Sequence, residues 1–328
     1  MAETGQLGCR LARVDWVQAV GYQHEVVHTG VLEHLLNGES RVMVAQALLG
    51  DEAPAILNIE GCTREKRMPG RRRPIDLAAT LGLPAGRTRW LGVEVKVDSA
   101  WTPEQLTSTV NEDDKGVLLA VGCTALTATP PEMPTENWVL VGPAEWATIV
   151  EAHTHGDDLL AAYAKHVRNE AESHERARDA VKTLQPVEEP RNGSELRHWA
   201  YFCEVVDHST LDPSSGSWER KKLISGPLLT RWINRDDTPD RGVYIELMGH
   251  VGEGRELCVK CWAGTDELEA LRGRISQRIG KATSRSHRRL RRTAKSCTAW
   301  SIALRDKRPQ DAAAMCDELV SRLQEHAW

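Results

Sequence analysis

Three charged residues stand in two short apolar runs in the first third of the chain. Asp76 lies in the run from Pro74 to Thr80, and Glu94 and Lys96 lie in the run from Trp90 to Val97. In a β-strand, side chains two residues apart share a face, so Glu94 and Lys96 are predicted to project together. Charged groups are costly to bury without a partner or a function. Two carboxylates and one lysine on neighbouring strands would suit a site for a divalent cation and a water molecule.

The stretch Pro-Ile-Asp76, followed by Glu94-Val-Lys96, resembles the signature of the PD-(D/E)XK nuclease superfamily, which has the restriction-endonuclease-like fold. The resemblance covers roughly residues 20 to 150. It implies an α/β fold whose core is a mixed central sheet flanked by helices, in the order α-β-β-β-α-β. By analogy it also implies a metal-dependent DNA nuclease that hydrolyses phosphodiester bonds, in bacterial defence or DNA repair.

The same resemblance implies a role for each residue of the cluster. Asp76, Glu94 and the backbone carbonyl of Val95 would bind Mg²⁺ or Mn²⁺, because these cations prefer oxygen ligands. Lys96 would position the attacking water or stabilise charge on the phosphate. The other interpretation is a plain ion pair with Lys96, although a buried ion pair is seldom more stabilising than apolar residues in its place.

Two further residues support this site less specifically. Glu25 would supply the acid that some family members carry on their first helix, and Glu33 is the other candidate for that role. A solvated helix face explains either glutamate equally well. Gln105 matches a glutamine that the family places on the helix after the Glu-x-Lys strand. Thr102 stands three residues earlier, so a capping box at the start of that helix explains Gln105 equally well.

The apolar pattern of the first half predicts helices and strands in the order that the family requires. The spacing of leucines and valines predicts one or two helices between Gly21 and Leu49. Thr102-Pro103 is typical of a helix start. The remaining predicted elements are strands at 55–59, 74–80, 90–97, 117–121 and 138–141, a basic turn between the first two of them, and a long charged helix at 157–184.

A segment rich in proline and charge, at residues 186–194, is predicted as a linker. It divides the chain into a nuclease-like domain at 1–185 and a C-terminal α+β domain at 195–328 for substrate or partner binding. The elements predicted in the C-terminal domain are two paired strands at 242–248 and 256–262 and helices at 195–206, 265–279 and 309–326.

Two arginine-rich segments are candidate DNA contacts. One precedes the Asp76 strand, where arginines would bind backbone phosphates. The other, residues 272–295, holds ten Lys or Arg and no acid, and such a run repels itself unless a polyanion neutralises it. A solvated basic surface is the alternative for both segments. The candidate contacts are Arg71, Arg72, Arg73, Arg288, Arg289, Arg291 and Arg292.

The composition favours a cytoplasmic protein. The chain has 328 residues, a net charge of −5 and eight cysteines, and a chain of this length does not need disulfides to fold. No signal-peptide pattern and no apolar run of about 18 residues is visible, so no membrane association is expected. A homo-oligomer, or a complex with defence or repair proteins, is compatible with the sequence. The competing functional interpretation is a catalytically inactive nuclease-fold protein that binds nucleic acid or serves as an assembly subunit.

Overall fold

The chain divides into two compact units, Met1–Ser173 and His174–Trp328, in a computed structural model. The division falls inside a continuous helix, Asp158–Thr183. Most of the predicted linker at 186–194 lies outside the described residues. The structure describes residues 17, 20–22, 24–71, 73–99, 101, 103–127, 136–183, 193–212, 218–223, 226–235, 241–250, 254–264, 267–280 and 296–324.

The first unit is built on a mixed five-stranded sheet with the strands in chain order, which confirms the predicted α/β class. The first three strands pair antiparallel and the last three pair parallel, so the third strand is the junction. The strands are β1 Asn58–Lys66, β2 Ile75–Gly82, β3 Thr88–Val97, β4 Lys115–Val121 and β5 Trp138–Val141.

Helices cover both faces of this sheet, which explains why its central strands are almost continuously apolar. One face packs Val93, Val95 and Leu119 against helices of the large core. The opposite face packs Leu118 and Trp138 in a smaller core. The helices are α1 Glu25–Asn37, α2 Arg41–Leu49, α3 Pro103–Thr107, α4 Cys123–Thr127, α5 Pro143–Ala152 and α6 Asp158–Thr183.

The first strand differs from the prediction. A strand at 55–59 followed by a basic turn is predicted, but β1 runs from Asn58 to Lys66 and includes the first two basic residues of that stretch, Arg64 and Lys66. The register shifts between Glu60 and Thr63, and Gly61 there has a φ of 63°, which a residue without Cβ adopts readily. The irregularity lets the strand continue through residues that read as a turn.

The second unit contains a five-stranded antiparallel sheet in the order β10-β9-β8-β7-β6, packed with helices, as an α+β arrangement requires. The predicted strands at 242–248 and 256–262 are β8 and β9. Three strands of this sheet were not predicted, namely β6, β7 and β10. The elements are α7 Gly193–His208, β6 Trp218–Leu223, β7 Gly226–Arg235, β8 Gly242–Gly249, β9 Arg255–Trp262, α8 Leu268–Ile279, β10 Ser296–Ala303 and α9 Pro309–Gln324.

In the part of the chain that the structure describes, no helix is both long enough and apolar enough to cross a bilayer.

Candidate active site

Asp76 stands where the ladder between β2 and β3 ends. The last backbone pair of that ladder is Leu77 with Val93. One step further along β3, the backbone N–H of Val95 donates a 2.7 Å hydrogen bond to Oδ2 of Asp76. A buried backbone N–H needs an acceptor, so the carboxylate replaces the missing strand partner. This hydrogen bond therefore holds the Asp76 side chain at the point where β2 and β3 separate.

Glu94 and Lys96 lie on the same face of β3 and contact each other. Lys96 Nζ is 2.7 Å from Oε1 of Glu94 and donates a 3.1 Å hydrogen bond to the carbonyl of Val95. From α3, Nε2 of Gln105 donates a 3.2 Å hydrogen bond to the same Oε1 of Glu94. The structure thus brings Gln105 to the cluster, while Thr102 of the proposed capping box lies outside the described residues.

Glu25 reaches the cluster from the first turn of α1. Its Oε1 accepts hydrogen bonds from the backbone N–H of Val97 at 3.3 Å and from Oγ of Ser99 at 3.0 Å, and it lies 3.9 Å from Nζ of Lys96. Glu33, the other candidate, forms an ion pair with Arg64 of β1 at 2.6 Å. Of the two glutamates, the geometry brings Glu25 beside Lys96.

The carboxylates of Asp76, Glu94 and Glu25 all lie near the single ammonium group of Lys96. This arrangement affects the pKa values of Asp76, Glu94 and Lys96. Glu94 is 4% exposed and Lys96 8%. Burial raises the pKa of Asp76 and of Glu94, and although Lys96 opposes the rise, the neighbouring acids add to it. Burial alone would lower the pKa of Lys96, but the attraction of Glu94, Asp76 and Glu25 outweighs it and raises that pKa. Lys96 is therefore cationic at neutral pH, and three carboxyl groups stand beside this one positive charge.

Each of the three carboxylates uses one oxygen inside the protein and leaves the other without a hydrogen bond among the described residues. Asp76 binds through Oδ2, and Glu94 and Glu25 each bind through Oε1. The open oxygens are not among the fully buried unpaired atoms. They are accessible to a ligand.

The oxygens of the cluster could take part in holding a divalent cation. Mg²⁺ is commonly held by one or two carboxylates, waters and substrate phosphate. Asp76, Glu94 and the carbonyl of Val95 are oxygen donors of that kind. Within the described residues, no group of three or more His, Cys, Asp or Glu is close enough together to hold a metal ion unaided. The residues therefore fit a cation that completes its coordination with water and substrate.

A buried hydrogen-bond network that was not predicted anchors α1, and with it Glu25. Nδ1 of His28 lies 2.6 Å from the hydroxyl of Tyr163 on α6, and Nε2 lies 2.8 Å from the carbonyl of Tyr22. Nε1 of Trp146 donates to the same Tyr163 hydroxyl at 2.7 Å. Burial lowers the pKa of His28 to about 4, so its ring is neutral at physiological pH. A sequence pattern gives no sign of this network, because its members are up to 135 positions apart.

Two more acids lie at the carboxyl ends of the parallel strands β3 and β4. Asp98 follows β3 with a φ of 53°, and its Oδ1 accepts a 2.6 Å hydrogen bond from the N–H of Cys123. Oε1 of Glu170 on α6 accepts a 2.5 Å hydrogen bond from the N–H of Gly122. Burial raises the pKa of Glu170 to about 7. These acids hold the turn after β4, and sequence reasoning missed both.

The arginines before β2 are placed in part. Arg71 is half-buried and its Nε has no hydrogen-bond partner among the described residues, whereas Arg73 is exposed. Met68 is buried behind them, so the segment is fixed to the body of the unit. Arg72, Arg288, Arg289, Arg291 and Arg292 lie outside the described residues.

Comparisons with protein-family models, with curated proteins and with solved structures found no match to this chain.

Proposed function

We propose that the first unit is a metal-dependent phosphodiesterase that cuts DNA. The observation that carries this proposal is the arrangement of Asp76, Glu94 and Glu25 around Lys96, with one oxygen of each carboxylate fixed and the other open. A purely structural ion pair would match one acid with one base, whereas here three acids stand around one lysine. A bound divalent cation would balance the additional carboxylates and attract a phosphate group.

The finer fold assignment belongs to the same proposal. We infer that the first unit is a restriction-endonuclease-like core, because α1, the three strands β1 to β3, α3 and β4 follow one another in the order that the PD-(D/E)XK resemblance implies. The cluster also lies where the antiparallel part of the sheet meets the parallel part. The resemblance supplies the reaction type, and the geometry supplies the candidate residues.

Each residue has a distinct part in the proposed reaction. Asp76, Glu94 and the Val95 carbonyl would hold Mg²⁺ or Mn²⁺, which supplies Lewis acidity at the phosphate and a more acidic water. Lys96, cationic and fixed by Glu94, stabilises negative charge that grows on the phosphate. Gln105 orients Glu94, and Glu25 orients Lys96. Arg71, half-buried beside the Asp76 strand, would contact a backbone phosphate.

The test is cleavage of supercoiled plasmid and of a single-stranded oligonucleotide, with Mg²⁺ or Mn²⁺ and with EDTA. Glu94→Gln and Lys96→Met should each slow cleavage by about 100-fold or more, since removal of one electrostatic stabiliser costs about that much. Lys96→Arg keeps the charge that the three acids require for folding, but moves it, and should also be slow. Glu104→Gln, on an exposed residue of α3, is the matched control and should cut like the wild type.

A wild-type chain that cuts neither substrate with either metal contradicts the catalytic proposal, and so does Lys96→Met with unchanged activity. The second candidate is a nuclease-fold protein that binds nucleic acid without cutting it. One observation favours it, because Asp76 and Glu25 also serve as acceptors for the backbone N–H groups of Val95 and Val97. DNA binding in a mobility-shift assay, without cleavage, would select this candidate.

A further inference from the structure

The second unit gathers basic side chains near the end of β8 and the start of β9. Arg255 begins β9, His250 follows β8, and Arg197 and His198 lie on the first turns of α7. Arg305 joins them from the segment after β10, because a Cβ on Gly254 would lie only 2.9 Å from its Cγ. These five residues come from four separate parts of the fold. We call them the basic cluster.

Arg255 is the centre of this cluster and has no counter-ion among the described residues. Its guanidinium carbon lies 4.0 Å from the ring centroid of Tyr201, so the planar group is stacked on the aromatic face. The hydroxyl of Tyr201 is in turn fixed by a 3.0 Å hydrogen bond to the carbonyl of Lys307. Among the described residues, the Arg255 side chain makes no hydrogen bond and no ion pair, and its Nε is fully buried. A half-buried guanidinium without an acceptor is costly unless an anion completes it.

His198 provides a second unsatisfied donor or acceptor. The residue is 5% exposed, and its Nε2 lies 3.2 Å from the carbonyl of His250. Its Nδ1 is buried with no hydrogen-bond partner in the described part of the chain. Burial, together with the positive charges of Arg255 and Arg197, lowers the pKa of His198 to about 4, so the ring is neutral at pH 7. The neutral ring leaves the positive charge of the site to the arginines.

The two acids of the described chain that lie near the basic cluster, Glu256 and Asp311, contact other groups instead of Arg255. Oε2 of Glu256 lies 3.6 Å from Nε2 of His250. Oδ2 of Asp311, at the start of α9, accepts a hydrogen bond from the backbone N–H of Arg308. Burial lowers the pKa of the Arg255 guanidinium, and Arg197 adds repulsion of like charge. Arg255 and Arg197 thus repel each other, and Nε of Arg255 is buried without an acceptor among the described residues. A bound oxyanion would offset the repulsion and accept hydrogen bonds from the guanidinium.

We propose that the basic cluster is a binding site for a phosphate group, with Arg255 as its principal ligand. A guanidinium held flat by an aromatic ring presents its N–H groups in a fixed fork, which matches two oxygens of a phosphate. The phosphate belongs either to a free phosphate or nucleotide or to the backbone of a nucleic acid. The site lies in the second unit and does not depend on the nuclease proposal.

The experiment measures binding to the full chain in EDTA, so that no cleavage intervenes. Inorganic phosphate, adenosine monophosphate and a short DNA duplex are titrated by calorimetry, with chloride at matched ionic strength as the blank. The wild type should bind phosphate above the chloride blank, and Arg255→Gln should weaken binding by tenfold or more. Arg255→Lys, which keeps the charge and the fold but not the planar fork, should give an intermediate affinity. Arg322→Gln, an exposed arginine of α9 paired with Glu318, is the control and should bind like the wild type.

Two results would overturn the proposal, namely no phosphate binding beyond the chloride blank, or equal binding by wild type, Arg255→Gln and Arg255→Lys. Two results support it and separate the sources of the phosphate. If the Arg255 variants lose phosphate and nucleotide but keep DNA, the ligand is a free phosphate compound. If they lose DNA as well, the ligand is the nucleic-acid backbone. Circular dichroism of each variant without ligand excludes misfolding as the cause.

Discussion

Oε1 of Glu94 contacts two groups, the ammonium of Lys96 and the side-chain amide of Gln105. Lys96 lies on the same strand and supplies a positive charge. Gln105 approaches from α3, so its Nε2 hydrogen bond fixes the orientation of the Glu94 carboxylate. Gln105 is thus a positioning residue that acts through Glu94. Its loss leaves the charge of the cluster unchanged but frees the carboxylate to rotate.

We therefore expect Gln105→Ala to lower kcat by about tenfold with little change in KM, since misplacing a catalytic group costs rate rather than binding. The measurement is steady-state cleavage of an oligonucleotide. Glu104→Ala removes the preceding, exposed side chain of the same short helix and should leave both constants unchanged. If Gln105 served only the stability of the fold, the variant would contain less active enzyme. The molecules that remained active would then keep the pH profile and the KM of the wild type.

Asp76 should destabilise the fold when it is ionised. Its pKa is raised, chiefly by burial, so this group favours the folded state below its unfolded pKa and loses that contribution as pH rises through its folded pKa. Asp76→Asn keeps an oxygen for the Val95 N–H but removes the charge. The variant should consequently melt above the wild type at pH 8 in EDTA, and the gap should close on acidification.

Addition of Mg²⁺ should stabilise the wild type more than Asp76→Asn, because only the former has the full charge of the site. Asp113→Asn, at an exposed position, is the control and should follow the wild type. Identical melting of Asp76→Asn and wild type across the pH range would show that the charge on Asp76 costs the fold nothing. Differential scanning fluorimetry suffices for both series.

The charged residues of the site could be predicted from the sequence, but only part of their surroundings could. Asp76, Glu94 and Lys96 are visible because charge interrupts apolar strands, and Glu25 and Gln105 are visible through the family pattern. Nothing in the sequence marks Ser99, whose hydroxyl binds Glu25. Asp98 and Glu170 could not be predicted either, because their roles depend on tertiary contacts with backbone N–H groups at the turn after β4.

At the level of elements, the register of the second sheet predicts that a disulfide can form between two neighbouring strands. Cys261 on β9 and Cys297 on β10 are paired directly across the strands, and their sulfur atoms are 3.3 Å apart. A mild oxidant such as diamide should join them, taking two electrons while two protons leave the thiols. Mass spectrometry should find a loss of about 2 Da and a peptide linking the two strands, since both sulfurs are within disulfide reach.

Cys297→Ser should abolish this cross-link, whereas Cys258→Ser should not, because Cys258 is paired with Ser301 instead. A register shifted by one residue would turn the two thiols to opposite faces of the sheet and prevent the bond. Failure of the wild type to cross-link under conditions that oxidise a model dithiol would therefore argue against this pairing of β9 with β10.

The interior strands of the first sheet were predicted well. The strands β2 to β4 were found within a few residues, because burial on two faces leaves long apolar runs. The missed strand β6 reads Trp-Glu-Arg-Lys-Lys-Leu and lies at the edge of its sheet, where charged residues are normal and resemble a loop. The strand β10 begins directly after the basic run at 272–295 and was not predicted.

On the scale of the whole molecule, two buried groups oppose each other in the pH dependence of stability. His28, with a pKa lowered to about 4, contributes stability above pH 6.5 and loses it as pH falls towards 4. Glu170, with a pKa raised to about 7, contributes stability below pH 4.5 and loses it as pH rises through 7. Between pH 4.5 and 6.5 the folded state keeps both groups neutral and the unfolded state charges both, so their effects cancel.

Glu170→Gln should remove this compensation. Relative to the wild type, the variant should lose stability as pH falls from 7 to 4.5, by at most about 3 kcal/mol, the equivalent of a pKa change from 4.5 to about 7. Urea unfolding at pH 5, 6 and 7.5 measures the difference. Glu175→Gln, at an exposed position of α6, should show the wild-type profile. Parallel profiles for Glu170→Gln and wild type would mean that Glu170 ionises normally in the fold.

The irregular strand β1 has a consequence for how molecules of this protein meet in solution. It is the outer strand of its sheet, and exposed charges of both signs, Glu60, Arg64 and Glu65, stand along it beside the bulge at Gly61. An open strand edge is a template on which another chain can extend the sheet. The bulge twists this edge away from flatness, and desolvating its charges would be costly. The bulge and the exposed charges of β1 thus disfavour edge-to-edge aggregation of this protein.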